Sequence, residues 1–128
     1  MLAVEHGRLA VGGEADGLTI DEFKRVYGGF NDDDPDHPIS PGGESPRMLE
    51  ARVRNAMDAF PERFPEQTVV LFTHGGFVRT ATTLSMGASI LAPEWLISQP
   101  RNTSLTILIH DGAWRIDRFN DAAHLLGG

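Results

Sequence analysis

The chain has 128 residues, of which 41% are hydrophobic and 23% charged, the make-up of one ordinary globular domain long enough to bury a core. A net charge of −7 argues against a general nucleic-acid or anionic-membrane surface, because phosphate backbones call for clustered Lys and Arg. Without cysteine there are no disulfides, thiolate metal sites or cysteine nucleophiles, and the longest apolar runs, near residues 69–72 and 105–109, are too short to span a bilayer.

The first residues carry neither a basic segment nor an apolar stretch of the secretory kind, so a cytoplasmic location is expected. Thr19-Ile-Asp-Glu22 has the form of a capping box and predicts a short helix through Tyr27, stopped by Gly28-Gly29. Residues 31–43, rich in Asp, Pro and Gly, read as a loop. The acids at 32–36 lack the calcium-loop pattern and its closing Glu, so they read as a solvated loop. Ser45 can cap the next helix, with Pro46 at its first position. Met48, Leu49, Val53, Ala56, Met57 and Phe60 then recur at helical spacing, and Pro61 and Pro65 are expected to end the helix.

Residues 68–73 are short, apolar and rich in β-formers, which predicts a buried strand. Residues 77–85 predict a helix, with Gly87 beyond its end as C-cap. His74 then lies at the carboxyl end of a strand and the mouth of a helix N-terminus. Open α/β sheets bind ligands there, and unpaired amides favour anions. Gly75 and Gly76 let the backbone approach a bound group closely. The pattern points to a phosphate site, weighed against a packed strand-end histidine followed by a tight glycine turn.

Further on, Pro93 opens a predicted turn of helix through Trp95 and Leu96. Residues 103–110 predict a strand, Asp111-Gly112 a two-residue hairpin turn, and residues 113–119 its antiparallel partner. Helix, helix, strand, helix and hairpin together predict an α/β domain with an antiparallel hairpin at one edge of the sheet. His6, His37, His110 and His124 show none of the spacings that converge on a metal, so no metal or other cofactor is expected.

Five segments form an ordered set: Gly17-Leu-Thr19 with Asp21-Glu22, Pro41-Gly-Gly-Glu-Ser45, Thr73-His-Gly-Gly76, Asn102-Thr-Ser104, and Trp114-Arg115 with Asn120-Asp-Ala-Ala-His-Leu125. That set, covering most of the chain, resembles the histidine phosphatase superfamily, the phosphoglycerate mutase-like proteins. The resemblance implies a three-layer α/β sandwich of phosphoglycerate mutase type. It also implies phosphomonoester hydrolysis or phosphoryl transfer through a phosphohistidine, without metal, on a phosphorylated small molecule or phosphate. In such proteins a neutral imidazole attacks phosphorus and cationic groups spread the charge on the equatorial oxygens. A carboxylic acid protonates the leaving oxygen.

By that resemblance His74 is the second histidine of the pocket, acting electrostatically on phosphoryl oxygens. Glu5 is the candidate general acid and Glu14 its rival, each otherwise a solvated loop carboxylate. Gly75, Gly76, Asn102 and Glu44 are candidate substrate-binding residues. Glu44 reads equally well as a charge stabilising a helix start, and Asn102 as a loop cap.

The departure from the family pattern is large, since no Arg-His-Gly occurs, nor the later Ser-x-x-x-Arg that supplies a second arginine. The sequence therefore reads as a single partial domain over residues 1–128, N-terminally truncated and inactive in isolation. A non-catalytic phosphate-ligand binding module is the alternative. His6, in Glu5-His-Gly-Arg8, is disfavoured as nucleophile because almost no chain precedes it to form a strand. Loss of the family's first strand is expected to leave the edge of residues 69–72 unpaired and to promote self-association.

Overall fold

Local capping chemistry sets the helix boundaries in the computed structural model, which describes residues 2–6, 14, 17–28, 34–38, 40–91 and 99–126, with residues 2–6 and 20 described by their backbone alone. Helix α1 spans Ile20–Tyr27. Its capping box is complete: the Thr19 amide donates to Glu22 Oε2 at 2.8 Å, and the Glu22 amide donates to Thr19 Oγ1 at 3.2 Å. Those bonds from Thr19 hold the Glu22 carboxyl below its ordinary pKa. Gly28, at φ +79, ends the helix as expected.

Helix α2 spans Pro46–Arg63, and Ser45 Oγ accepts from the Met48 amide at 3.2 Å. It runs through Pro61 rather than stopping there. Pro61 lies in the last turn, where its ring forfeits one amide bond while the Phe64 amide still donates to the Phe60 carbonyl at 2.9 Å. On the expected apolar face Val53 and Met57 are buried, but Met48 is 56% exposed at the helix start.

Strand β2 spans Thr68–Phe72 and helix α3 spans Gly75–Ser85. The helix begins two residues before the expected start, directly behind an extended His74. It closes with a Schellman pattern: the Gly87 amide donates to the Leu84 carbonyl at 3.0 Å and the Ala88 amide to the Thr83 carbonyl at 3.2 Å, with Gly87 at φ +76. Thr80, Thr82 and Thr83 are fully buried. Their hydroxyls each donate to the carbonyl four residues back at 2.7 Å, so no buried hydroxyl among the three is left unpaired. Val53, Met57, Phe77 and Ala81 form the core between α2 and α3, with Leu71, Leu108 and Trp114 packed against it.

Glu50 ties α2 to the segment that follows α3. Its buried carboxylate accepts from Ser89 Oγ at 2.6 Å, the Ile90 amide at 2.8 Å and Arg54 at 3.2 Å. Burial alone would raise its pKa, but the Ser89, Ile90 and Arg54 donors together hold it below the usual carboxylate value.

Strands β3, Leu105–His110, and β4, Trp114–Asp121, form an antiparallel hairpin. β3 starts later than expected because Thr103 sits at φ +61 in a turn. His110 pairs with Trp114, so the connection is three residues, Asp111-Gly112-Ala113, with Gly112 at φ +93. A short 3-10 turn, Ala123–Leu125, follows. The expected turn near 93–96 lies outside the described residues.

One expectation fails at the beginning of the chain. Leu2–His6 is itself a strand, β1, paired in parallel with β2 from Leu2 opposite Thr68 to His6 opposite Phe72. Glu5 is therefore a strand residue and not a loop carboxylate. The expected bare edge at residues 69–72 is present on one side of the strand only. β1 takes one edge of β2, while the other has no strand partner among the described residues. β1–β2 and β3–β4 are thus two separate pairs. No described helix is long and apolar enough to cross a membrane.

Candidate functional site

Parallel pairing puts the carboxyl ends of β1 and β2 side by side. The backbone at Glu5-His6 therefore ends beside the point where β2 passes into Thr73 and His74. His74 is exposed and is the N-cap of α3, in extended conformation at φ −118, ψ 162. Its side chain makes no capping bond, and the first turn of α3 holds no acidic residue. The first helical amides, at Gly75, Gly76 and Phe77, have no partner four residues back, because the ladder begins with the Val78 amide donating to the His74 carbonyl at 3.2 Å. An exposed imidazole beside a positive dipole end whose first three amides have no intrahelical partner can hold an oxyanion.

The two glycines differ. A Cβ on Gly75 would lie 2.7 Å from Gln99 Oε1 and 3.7 Å from Pro100 Cδ, whereas a Cβ on Gly76 would meet nothing within 4 Å. The Gln99 side chain lies against Gly75 and its amide end would have to turn aside for a Cβ there, whereas Gly76 faces open space. That segment is fastened again further on, where the Arg101 amide donates to Asn120 Oδ1 at 2.7 Å. Asn120 sits at φ +56 with its own amide on Thr106 Oγ1 at 3.1 Å. Asn102, exposed in the following turn, is thereby held on the loop that leans on the α3 start. Gln99 carries no local sequence signal, since only the tertiary fold brings it to Gly75.

Glu44 makes an ion pair of its own. It is buried before α2 and paired in bidentate fashion with Arg52, Nε to Oε2 at 3.0 Å and a terminal nitrogen to Oε1 at 3.2 Å. The spacing of Glu44 and Arg52, eight residues and about two helical turns apart, is the local sequence signal of this pair. Glu14 is exposed, with its amide on the Pro41 carbonyl at 3.0 Å and its carboxylate accepting from the Tyr27 hydroxyl at 3.4 Å. Burial and then the Glu14 charge push the Tyr27 phenol up. His74, Gly75 and Gly76 thus share the α3 start with the 99–100 segment that leads to Asn102, the backbone of Glu5 lies at the neighbouring strand end, and the carboxylates of Glu14 and Glu44 are paired with Tyr27 and Arg52.

Comparison with known proteins bears on this corner. The profile of the Histidine phosphatase superfamily (branch 1) matches residues 10–122. Phosphoglycerate mutase-like protein 4 of Arabidopsis thaliana is 27% identical over 119 residues, 88% of this chain, which spans about half the length of that relative. Among solved structures, YhfR of Bacillus stearothermophilus superposes with a TM-score of 0.73 at 21% identity, covering 96% of this chain and 75% of that one. A mycobacterial glucosyl-3-phosphoglycerate phosphatase solved with VO3 superposes with a TM-score of 0.74 at 21% identity, covering 95% and 76%. At such identity these two structures share the fold: an α/β domain of the same architecture.

Proposed function

Since this chain belongs to branch 1 of the histidine phosphatase superfamily, we propose that its β2–His74–α3 corner is the oxyanion-holding half of a phosphoryl-transfer site for a small phosphomonoester. The observation that carries the proposal is the exposed His74 heading a helix start that has no side-chain cap and no acid. His74 and the amides of Gly75 and Gly76 spread the charge that builds on the equatorial oxygens. Glu5, on β1 beside the same strand end, donates the proton to the leaving oxygen, and the loop bearing Asn102 borders the substrate. Glu44 works through Arg52 to organise the start of α2. The site needs no metal, and the protein acts in the cytoplasm. The VO3 bound by a phosphatase of the same fold supports an oxyanion as the ligand class.

A phosphohistidine mechanism asks for a nucleophilic imidazole in an Arg-His-Gly setting, which these 128 residues do not contain. The isolated chain therefore binds phosphate without turning over an ester. Two measurements test this. Titration with inorganic phosphate, read by NMR, should shift the His74 ring in a saturable way in the millimolar range and leave exposed His37 unmoved. No change at high millimolar phosphate would end the site proposal. An aryl phosphate assay should give the buffer rate and no acid-labile phosphohistidine. Turnover abolished by His6→Ala or His74→Ala would overturn the inactivity.

A further inference from the structure

Helix geometry decides what the Gln99 side chain faces. Every Cα–Cβ bond of an α-helix tilts toward its N-terminus, and the first amides point the same way. A group that touches the Cβ position of the first helical residue therefore lies beside the open helix start. Gln99 does so: its Oε1 is 2.7 Å and its Cδ 3.6 Å from the Cβ position of Gly75, the first residue of α3. A phosphoryl oxygen bonded to the Gly75 amide at about 2.9 Å is a close neighbour of that amide end.

The side chain of Gln99 is uncommitted, whereas the backbone behind it is held. Gln99 is exposed, and no hydrogen bond engages its side chain among the described residues, so it does not close the start of α3 as an internal cap would. Its last torsion is soft, and the NH2 group can turn to face an arriving anion in place of the oxygen. A neutral amide adds a donor there without adding a charge of either sign. Pro100 Cδ rests 3.7 Å from the same Cβ position, and the Arg101 amide donates to Asn120 Oδ1 at 2.7 Å. Asn120 sits at φ +56, a conformation that asparagine tolerates, with its own amide on Thr106 Oγ1 at 3.1 Å. The β3–β4 hairpin thus anchors the arm that carries Gln99 to the helix start.

Resting on the reading of the His74 corner as an oxyanion site, we propose that Gln99 is a further ligand-contacting residue of that site. Its side-chain amide donates to a phosphoryl oxygen, and Asn120 is the positioning residue that holds the arm in place. The contact joins the ligand to the hairpin at the far end of the chain, so a change at Asn120 reaches the phosphate only through Gln99.

The test uses the whole chain and inorganic phosphate, followed by NMR at the His74 ring and at the Gly75 and Gly76 amides. Gln99→Ala should weaken phosphate binding about threefold to tenfold, the loss of one hydrogen bond to an anion, with the thermal midpoint unchanged. Gln99→Glu sets a carboxylate where the amide stood and should weaken it about tenfold or more. Asn120→Gly keeps the positive-φ backbone and removes the acceptor of the Arg101 amide. It should weaken phosphate in the native chain and have no further effect in the Gln99→Ala background. Unchanged affinity in both Gln99 variants, with the native chain still binding phosphate, would overturn the contact and leave the His74 site standing. Tighter binding in Gln99→Ala would overturn it as well, because the Gln99 oxygen would then be a cap that phosphate displaces. Equal losses from Asn120→Gly with and without Gln99 would overturn the positioning role. A native chain that gives no response to phosphate would remove the site, and this contact with it.

Discussion

The two long helices begin in opposite ways. α2 opens with a Ser45 hydroxyl on the Met48 amide, Pro46 in the first turn and a buried Glu44–Arg52 pair at its entrance. α3 opens with an exposed His74 that caps nothing, two glycines and no acid. A missing cap costs about 1 kcal/mol, and glycine is a poor helix former. α3 recovers that stability away from its start, through the buried Phe77 and Ala81, the back-bonded threonines and the Schellman close. A helix left uncapped where His74 stands suits the oxyanion site proposed there, while the α2 start is closed by Ser45 and the Glu44–Arg52 pair.

The largest effect expected from that contrast is at α2. Arg52→Ala leaves the buried Glu44 carboxylate without its bidentate partner, and should cost roughly 3 kcal/mol in urea unfolding. At temperatures where the variant is folded, the phosphate response of the His74 ring should be unchanged. If that response vanished with Arg52 in a folded variant, Glu44 and Arg52 would belong to the ligand site and the division between the two helix starts would fail.

Next in size is the latch that holds the segment after α3 against α2. Glu50→Ala removes the acceptor of the Ser89 hydroxyl and the Ile90 amide, and should cost about 2 kcal/mol. Because the folded pKa of Glu50 is depressed, its ionised form adds stability at pH values above the unfolded carboxylate range, about 4.3, and that stability is lost as pH falls through the lowered folded value. The stability gap between the native chain and Glu50→Gln should stay constant from pH 7 to about 5 and close below about 4. A gap that did not depend on pH would show that the Glu50 charge contributes nothing beyond its hydrogen bonds.

The sequence made legible whatever is decided within a few residues. Thr19 with Glu22, Ser45 with Pro46 and Gly87 each carry their partner locally, and the structure places caps at all three. His74 at a strand end followed by a helix was legible for the same reason. Part of the rest depends on partners far along the chain. Leu2–His6 is a strand because β2 lies beside it, and nothing in five residues says so. Gly75 has the side chain of Gln99, 24 residues on, lying against it. Pro61 was misread as a stop because a proline in a last turn forfeits one bond, not the helix. The three-residue hairpin loop was misread because Asp-Gly fits a two-residue turn equally well, and only the pairing of His110 with Trp114 distinguishes them.

The smallest effect is the sharpest, because its sign differs between the two starts. Ser45→Ala should cost about 1 kcal/mol, since the Met48 amide loses its acceptor. His74→Ser should do the reverse, gaining about 0.5–1 kcal/mol, because a serine hydroxyl at that N-cap reaches amides that the imidazole leaves open. The same substitution removes the ring, so phosphate binding, read now from the Gly75 and Gly76 amides, should weaken about tenfold or more. His74→Ala separates the two effects: it should lose affinity like serine but gain no stability, because alanine offers no cap. Should His74→Ser prove neutral or destabilising instead, the first amides of α3 must already be satisfied within the fold, with the Gln99 side chain beside Gly75 the nearest group to do it. The helix start would then be closed, and an exposed His74 alone could not hold the charge of a phosphoryl group.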